Sequence, residues 1–195
     1  MPMTNRQEAI ITGVLLGDGH LEKNGRYVRL KVDQALSHSD YINWLYNELK
    51  NLVPSPPVII EENDKRTNKV YKRLHFSTYS NAEFKKWLDS FYVDRRKIIP
   101  SKINSILKSA ISLAIWLMDD GYKRNDCAAI RLNTDAFTYD EQQMLIECLR
   151  ENFKINSQIH KKGKWYNIYI PKGEAKKFSF LVDPYILPSF KHKLL

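Results

Sequence analysis

The stretch LAIWLMDDG, from Leu113 to Gly121, recurs in altered form earlier in the chain as ITGVLLGDG, from Ile11 to Gly19. Each copy is an apolar, helix-like run that ends in Asp-Gly. Such a run is typical of a buried core helix, but a terminal carboxylate followed by a glycine delivers charge to one spot. If the two helices pack side by side, Asp18 and Asp120 arrive together. Two close carboxylates are costly unless a cation sits between them, so the pattern predicts a metal site at the ends of a helix pair.

The charge balance points to a polyanionic partner. The 31 Lys and Arg residues against 22 Asp and Glu give a net charge of +9 and a pI near 9.4, and the excess is spread through the chain. A length of 195 residues with 43% hydrophobic content is enough for one sizeable domain or two small ones. Charge alone leaves a merely basic globular protein as an equal alternative.

Cysteine usage and the terminal sequence exclude other classes of protein. Cys127 and Cys148 lack a C-x-x-C partner and the five histidines are scattered, so neither a disulfide framework nor a zinc cluster is indicated. The start, MPMTNRQEAI, has no apolar h-region, and the apolar run near Ile111 to Met118 is too short to cross a bilayer. We expect reduced thiols and a soluble intracellular protein, in a bacterial cytoplasm or an organelle, with no membrane partner.

The hydrophobic periodicity predicts the same order of elements twice. In the first half we expect helix 6–18, strands 20–24 and 26–34 joined at Asn24-Gly25, helix 37–52, strands 58–62 and 70–78 around a flexible segment 63–69, and helix 81–92. In the second half we expect a helix ending at Asp120, strands 122–124 and 127–134, helix 139–153, strands 155–161 and 164–170, a helix from 173, and a loosely packed tail 187–195.

This repeat predicts an α+β fold of two pseudo-symmetric αββαββα halves. The halves are residues 1–92 and 110–195, and the basic, proline-containing segment 93–109 is a plausible linker. Each half would carry a four-stranded antiparallel sheet with one face in solvent, and the motif helices would form the interface between the halves. Such symmetry matches that of duplex DNA. A nine-residue strand would span about 30 Å, or about nine base pairs, and twisted sheets fit the major groove.

The two stretches resemble the defining motif of the LAGLIDADG homing endonucleases, in the single-chain form that carries two motifs. The residues kept are Gly13, Gly17, Asp18 and Gly19 in the first copy, and Leu113, Ala114, Asp120 and Gly121 in the second. In the second copy Ile115 replaces the internal glycine, Trp116 is bulky, and Asp119 stands where a small residue is usual. These departures bear on how closely the helices approach and not on where their ends point.

The resemblance implies a catalytic site and its metal. Asp18 and Asp120 would bind Mg²⁺ or Mn²⁺, together with the backbone carbonyls of Gly17 and Asp119, while the Asp119 side chain points elsewhere. Lys123 matches the family's catalytic lysine and Gln34 its amide, which would hold the attacking water and the leaving group. Gln34 lies off the polar face by strict alternation, so this role needs a strand end or a bulge.

The basic strand faces predict the contacts to DNA, since the two sheets together would form a saddle for a duplex. The candidate residues are Lys23, Arg26, Arg29, Lys31, Arg73, His75, Arg124, Arg131, Lys161, Lys162 and Lys164. Any one of them alone is equally well explained as a solvated charge.

Three functions fit these features. The leading one is a monomeric, Mg²⁺-dependent, site-specific double-strand DNA endonuclease, encoded within an intron, that hydrolyses phosphodiester bonds in a long asymmetric target. The second is a maturase that binds intron RNA without cleaving. The third is a non-cleaving DNA-binding regulator on the same scaffold. Retention of both Asp18 and Asp120 favours cleavage, because a pure binder has no need for two clustered charges.

Overall fold

The computed structural model describes residues 3–195 and confirms the predicted α+β fold, with two four-stranded antiparallel sheets. The chain forms two compact units. The first, called here the sheet unit, is Asp18–Leu88, and the second, the helix-pair unit, joins the residues up to Gly17 with Asp89–Leu195. These units cut across the repeat, because both motif helices belong to the second one. The division into repeat halves at 92 and 110 stays a prediction.

The elements follow the predicted order in both halves. The helices are α1 (Asn5–Leu16), α2 (Ser39–Glu48), α3 (Lys85–Phe91), α4 (Ile103–Ile106), α5 (Ala110–Asp120), α6 (Tyr139–Phe153) and α7 (Lys172–Val182). The strands are β1 (His20–Asn24), β2 (Tyr27–Ala35), β3 (Val58–Asp64), β4 (Lys69–Ser77), β5 (Tyr92–Val93), β6 (Arg96–Lys97), β7 (Gly121–Lys123), β8 (Ile130–Leu132), β9 (Gln158–Lys162) and β10 (Trp165–Ile170).

The sheet unit is an antiparallel sheet in the order β1-β2-β4-β3, packed on α2. The predicted hairpin is confirmed, and Gly25 turns it with φ of 63°, a conformation that costs a glycine little. Strict alternation gives β2 two faces. Leu30 and Val32 are buried on the α2 side, whereas Arg29 and Lys31 are only half-buried on the other. The sheet therefore has one core face and one polar face, as the sequence predicts.

The helix-pair unit contains α1, α5 and the second sheet, in the order β7-β8-β10-β9. Helix α5 is apolar all round and buried from Ile111 to Met118, as expected for a helix in the middle of a core. Thr4 and Thr138 begin α1 and α6 with capping boxes, in which each threonine accepts from the backbone three residues on. The predicted span of α6, 139–153, is confirmed.

Several boundaries differ from the prediction, since α2 ends at Glu48, α3 begins at Lys85 and β9 begins at Gln158. Helix α1 ends at Leu16, so Asp18 lies beyond the helix. Strand β8 covers only Ile130–Leu132, because the Ala129 N–H bonds locally to the Cys127 carbonyl instead of to a strand. The segment 63–69 is not an open loop, since strand pairing continues to Asp64 and Lys69. The Asp64 carboxylate closes the short turn by accepting from Arg66 N at 2.9 Å and Thr67 Oγ1 at 2.8 Å.

The segment predicted as a linker is folded. Strands β5 and β6 form a hairpin whose turn residues, Asp94 and Arg95, both have left-handed φ, of 48° and 66°. Beyond the hairpin, Ile99 and Ile103 are buried. The Arg96 guanidinium makes two 3.0 Å bonds to the Glu141 carboxylate on α6. Burial raises the pKa of Glu141, but hydrogen bonds from Arg96 and Thr138 outweigh it and lower the pKa below its usual range.

The tail 187–195 is also packed, contrary to the expectation. Pro188–Lys193 forms a 3-10 helix, and Phe190 is only 2% exposed. The Leu195 N–H donates to Ser179 Oγ at 3.0 Å. Buried Phe190 holds the tail in place. The basic residues that follow it led to the prediction of a loosely packed tail.

Neither cysteine forms a disulfide. Cys127 is exposed, while Cys148 is buried, and burial raises the pKa of its thiol to about 11. Within residues 3–195, no helix combines the length and the apolar character needed to cross a membrane.

The Arg96 and Glu141 pair predicts a pH-dependent contribution to stability. Glu141→Gln should lower the free energy of unfolding by about 1 kcal/mol at pH 7, since the bond to a charged group is lost and half-exposed Arg96 is partly screened. Because the folded pKa lies below the ordinary glutamate value of 4.5, the difference should be complete above that pH and vanish as pH falls through the folded pKa. Urea unfolding across this range measures it.

Glu147→Gln is the matched control, since Glu147 lies exposed on the same helix and its side chain makes no hydrogen bond or ion pair within residues 3–195. Equal losses in the two variants, or a difference between wild type and Glu141→Gln that persists in acid, would contradict the assignment.

Candidate active site and nucleic-acid surface

The motif helices α1 and α5 pack with their backbones in close approach. A Cβ added at Gly13 would lie 2.7 Å from the Ser112 carbonyl oxygen and 2.9 Å from Ile115 Cβ. The Ser112 hydroxyl donates to the Ala9 carbonyl of α1 at 2.6 Å. The bulky residues of the second motif therefore do not hold the helices apart, because the glycine of the first motif provides the space.

The two helices also meet at their C-terminal ends. The Asp119 side chain lies against Gly17, where an added Cβ would come within 2.8 Å of Asp119 Cγ. Gly17 is buried and Asp119 is half-buried. The Asp119 carboxylate thus packs at the helix ends, and each of these two residues is followed in the sequence by a motif aspartate.

In the sheet unit, Asp18 is exposed and is oriented by Gln34. The Gln34 amide donates to Asp18 Oδ2 at 2.9 Å and is itself only 7% exposed. Of the strand end or bulge that was expected, the strand end is present: Gln34 is the last but one residue of β2, pairs with Leu74 in regular register and projects from the core face. Alternation places Gln34 opposite to the polar face, and this is the side on which Asp18 lies. His38 Nδ1 lies 3.4 Å from Oε1 of the Gln34 side chain and extends the chain of polar contacts.

In the helix-pair unit, Asp120 is the last residue of α5 and is half-buried. Its backbone carbonyl accepts from the Asn133 N–H at 3.0 Å, just beyond β8. The end of the motif helix is therefore fixed to the second sheet. Asn133 Oδ1 is buried and has no hydrogen-bond partner within residues 3–195, so it is a polar atom that a ligand or water would satisfy.

Two lysines that the sequence analysis missed lie at the ends of the motif helices. Lys97 Nζ donates to the Gly17 carbonyl at 2.8 Å, and Lys193 Nζ donates to the Met118 and Leu117 carbonyls at 2.6 and 3.2 Å. Both are partly buried, in segments read as linker and tail. A cation at a helix C-terminus offsets the negative end of the helix dipole. In the sequence, the two lysines share one feature, a nearby Pro-Ser pair: Pro100-Ser101 follows Lys97, and Pro188-Ser189 precedes Lys193.

Lys123, the lysine that the resemblance indicates, has a different environment. It is exposed, and its side chain makes no hydrogen bond or ion pair within residues 3–195. It pairs with buried Ile130, so its side chain leaves the second sheet on the side away from Arg131. Its catalytic role stays a prediction.

The polar face of the sheet unit carries the expected cations, but they are paired with carboxylates. Glu22 binds both Arg29 and Lys31, and Arg73 binds Asp33. Burial raises the pKa of Glu22, but the hydrogen bonds from its two cations outweigh burial and lower it. On the same face, burial and then the charge of Lys31 lower the pKa of His75.

The polar face of the second sheet is organised around Tyr169. His160 stacks on its ring with centroids 4.2 Å apart, and the guanidinium groups of Arg131 and Arg124 lie 5.9 and 6.0 Å from the ring centroid. Asn167 on this strand is fully buried, with no hydrogen-bond partner for either amide atom within residues 3–195. Basic, aromatic and unsatisfied polar groups together are suited to nucleic acid.

Four of the predicted contact residues lie elsewhere than on these faces. Lys23 pairs with Val28 and Lys161 with Tyr166, so both leave their sheets on the core side, because side chains alternate along a strand. Arg26 and Lys164 occupy the hairpin turns. The remaining predicted residue, Lys162, is on the polar face and lies 3.7 Å from Asp135.

Within residues 3–195, no group of three or more His, Cys, Asp or Glu side chains is placed to hold a metal ion. A site with two carboxylates and backbone carbonyls is smaller than such a group, and its hard oxygen donors suit Mg²⁺ or Mn²⁺.

The model of the LAGLIDADG DNA endonuclease family matches residues 8–178. The cytochrome b mRNA maturase bI2 of Debaryomyces hansenii is 32% identical over 203 residues, which cover 99% of this chain and 75% of that protein. A probable intron-encoded endonuclease of Wickerhamomyces canadensis is 30% identical and covers 97% of this chain and 84% of its own length.

Among solved structures, the homing endonuclease I-WcaI bound to its DNA recognition sequence superposes with a TM-score of 0.91. It is 28% identical, and the match covers 100% of this chain and 88% of that one. The similarity therefore extends over both sheets and both motif helices.

Close helix packing predicts a large penalty for a small substitution. Gly13→Ala should lower the free energy of unfolding by about 1–3 kcal/mol, because the new methyl would meet the Ser112 backbone, which cannot move aside. Gly173→Ala is the matched control, since nothing lies within 4 Å of its Cβ position at the start of α7. Chemical unfolding of both variants measures the difference, and a stabilised Gly13→Ala would contradict the close approach.

Proposed function

Because the chain belongs to the LAGLIDADG DNA endonuclease family, we propose that it is a site-specific endonuclease that hydrolyses both strands of a long asymmetric DNA target. The observation that carries the proposal is the close contact between Gly17 and Asp119 at the ends of the packed motif helices. Consecutive Cα atoms are about 3.8 Å apart, so the aspartates that directly follow these residues start from adjoining positions.

We assign Asp18 and Asp120 as the metal ligands. Two carboxylates beside two helix C-termini concentrate negative charge, which favours a divalent cation with oxygen ligands. The Gly17 carbonyl already accepts a hydrogen bond from the Lys97 ammonium. A metal ion bound to the same carbonyl would be repelled by that positive charge. The role of the Asp119 carbonyl stays a prediction. When bound, Mg²⁺ or Mn²⁺ would neutralise the phosphate and lower the pKa of the attacking water.

The surrounding side chains have separate roles in this proposal. Gln34 holds the Asp18 carboxylate through its amide, and its other contacts fix the orientation of that amide. Lys97 and Lys193 place positive charge at the helix ends, where they would stabilise the charge that develops on the phosphate and on the leaving oxygen. Lys123 is retained as a third candidate for this role.

The polar sheet faces supply the DNA contacts. The nine-residue strands β2 and β4 are long enough to follow about nine base pairs at about 3.4 Å per residue. I-WcaI, which matches over this whole chain, is bound to its DNA recognition sequence. We therefore propose duplex DNA as the partner and a monomer, with one sheet for each half of the target, as the active form.

Maturation of intron RNA is the second candidate function. Its support is the relative in Debaryomyces hansenii, a cytochrome b mRNA maturase that aligns with 99% of this chain. Exposed Phe180 and the lysines around it lie on α7 and could serve such a partner. Retention of both motif aspartates favours DNA cleavage as the primary activity.

Removal of a proposed metal ligand should separate cleavage from binding. Asp18→Asn and Asp120→Asn should each abolish double-strand cleavage while target binding stays within about a few-fold, because the ligands are lost and the groove contacts remain. Gel-shift and cleavage assays on one DNA substrate with Mg²⁺ measure both quantities, with Glu147→Gln as control. Cleavage retained by either aspartate variant would remove the metal site, and a wild type that binds intron RNA but cuts no DNA would favour the maturase.

The three lysines can be compared in the same assay. Lys97→Met and Lys193→Met should each lower the single-turnover rate at saturating protein by about 100-fold, because their charge acts mainly in the transition state. Lys123→Met tests the prediction from the resemblance: a lowered saturating rate assigns it to the site, and weaker binding with a normal rate assigns it to a phosphate. Normal saturating rates for Lys97→Met and Lys193→Met would overturn their proposed role.

A further inference from the structure

Arg73 is held between two carboxylates on the polar face of the sheet unit. Its Nε lies 2.8 Å from Asp33 Oδ1, and its Nη1 lies 3.3 Å from Glu62 Oε2. The strand register explains the contacts, since Arg73 sits opposite Ala35 on one side and Ile60 on the other. Asp33 and Glu62 are therefore its diagonal neighbours on the two flanking strands.

The two carboxylates hold the guanidinium in place and leave some of its N–H donors available. An arginine has five N–H donors, and these bonds occupy one on Nε and one on Nη1. Both hydrogens of Nη2 and one of Nη1 remain available, and the side chain is 40% exposed. A planar group held from two sides loses little further freedom when it binds, and it presents two adjacent donors to a pair of acceptors.

A second ion-pair cluster lies on this face in the reverse arrangement, with one carboxylate between two cations. Glu22 on β1 binds Arg29 and Lys31 on β2. By contrast, Arg131 on the second sheet has no carboxylate partner within residues 3–195, and its guanidinium lies near the Tyr169 ring. Pairing also occurs on the second face, where Arg124 binds Asp126 and Lys162 lies 3.7 Å from Asp135, so the feature that sets Arg73 apart is that two carboxylates hold one guanidinium.

Carboxylates at these positions distinguish between the two kinds of DNA contact. An arginine that binds a phosphate gains from its full positive charge, which an adjacent carboxylate cancels while it repels the phosphate. A base edge carries no net charge, so the carboxylate adds no repulsion there. In the major groove, guanine offers two acceptors, O6 and N7, and its partner cytosine offers the N4 donor, which a carboxylate accepts.

We propose that Asp33, Arg73 and Glu62 form a specificity-determining cluster that reads a G·C base pair, with Arg73 on the guanine and a carboxylate on the cytosine. The inference rests on the proposed function and names residues that set its target preference. Asp33 and Glu62 act as positioning residues for Arg73 as well as acceptors. Arg73 was predicted from the sequence to contact DNA, without distinction between bases and phosphates, and the two carboxylates were not predicted to take part.

The position of the cluster indicates which part of the target it reads. A shallow cavity of about 510 Å³ is lined by Arg73, Asp33 and Glu62 and also by Asp18 and Gln34. Asp33 and Gln34 are neighbours on β2 and project from opposite faces. Because one strand residue and one base step both advance by about 3.4 Å, we expect the G·C pair within about four base pairs of the cleaved bond.

The test is a binding selection from a randomised duplex pool without divalent metal, so that no cleavage is required. Wild type should enrich a G·C pair at one position near the cut. Arg73→Lys keeps the charge but loses the planar fork, and Asp33→Asn loses the support, so each should reduce the preference at that position by about 10-fold or more and leave the others unchanged. Glu61→Gln is the control, since Glu61 pairs with Lys72 at 3.0 Å on the opposite face of the same strands.

The outcomes are distinct. An unchanged motif with Arg73→Lys would identify a phosphate contact and overturn the inference. Loss of the preference in Arg73→Lys but not in Asp33→Asn or Glu62→Gln would overturn the role of the carboxylates. If wild type enriched no sequence at all, the site-specific function itself would fail, whereas enrichment by wild type with unchanged motifs in every variant would refute this inference alone.

Discussion

The close approach of α1 and α5 is the constraint on which the candidate site depends. Gly13 brings the α1 backbone against Ser112, and the Ser112 hydroxyl ties the two helices together by its bond to Ala9. With no side chain between them at these points, the helices cannot slide without a backbone clash. The contact of Gly17 with Asp119 then follows from rigid geometry. A helix pair of this kind positions its ends more accurately than loops would.

Such a helix pair creates an electrostatic problem at its C-terminal end. Two helix dipoles point their negative ends there, and the motif aspartates add charge of the same sign. Lys97 and Lys193 reduce the repulsion by donating to the last helical carbonyls. Each ammonium group donates to backbone oxygens at the end of a motif helix, so positive charge is already in place there.

The sequence predicted the elements that depend on local periodicity, and missed those that depend on tertiary contact. The Asn24-Gly25 hairpin, the two faces of β2 and the span of α6 follow from alternation, turn chemistry and capping, which are local. Lys97 and Lys193 were missed because they are 80 and 76 residues from the carbonyls they bind. Gln34 was identified by resemblance, but alternation on β2 made a strand end or a bulge seem necessary, since the side of the sheet on which Asp18 lies was unknown.

In the proposed function, strand β2 presents target-facing and site-facing residues on opposite sides, with Asp33 and Gln34 as immediate neighbours. A substitution on the polar side alters recognition and leaves the site untouched. A one-residue insertion within the strand would instead exchange the two sides and disable both. Proteins of this design would therefore acquire a new DNA target sequence by exchanging side chains at fixed strand length. Changes in length would be confined to turns such as the one at Gly25.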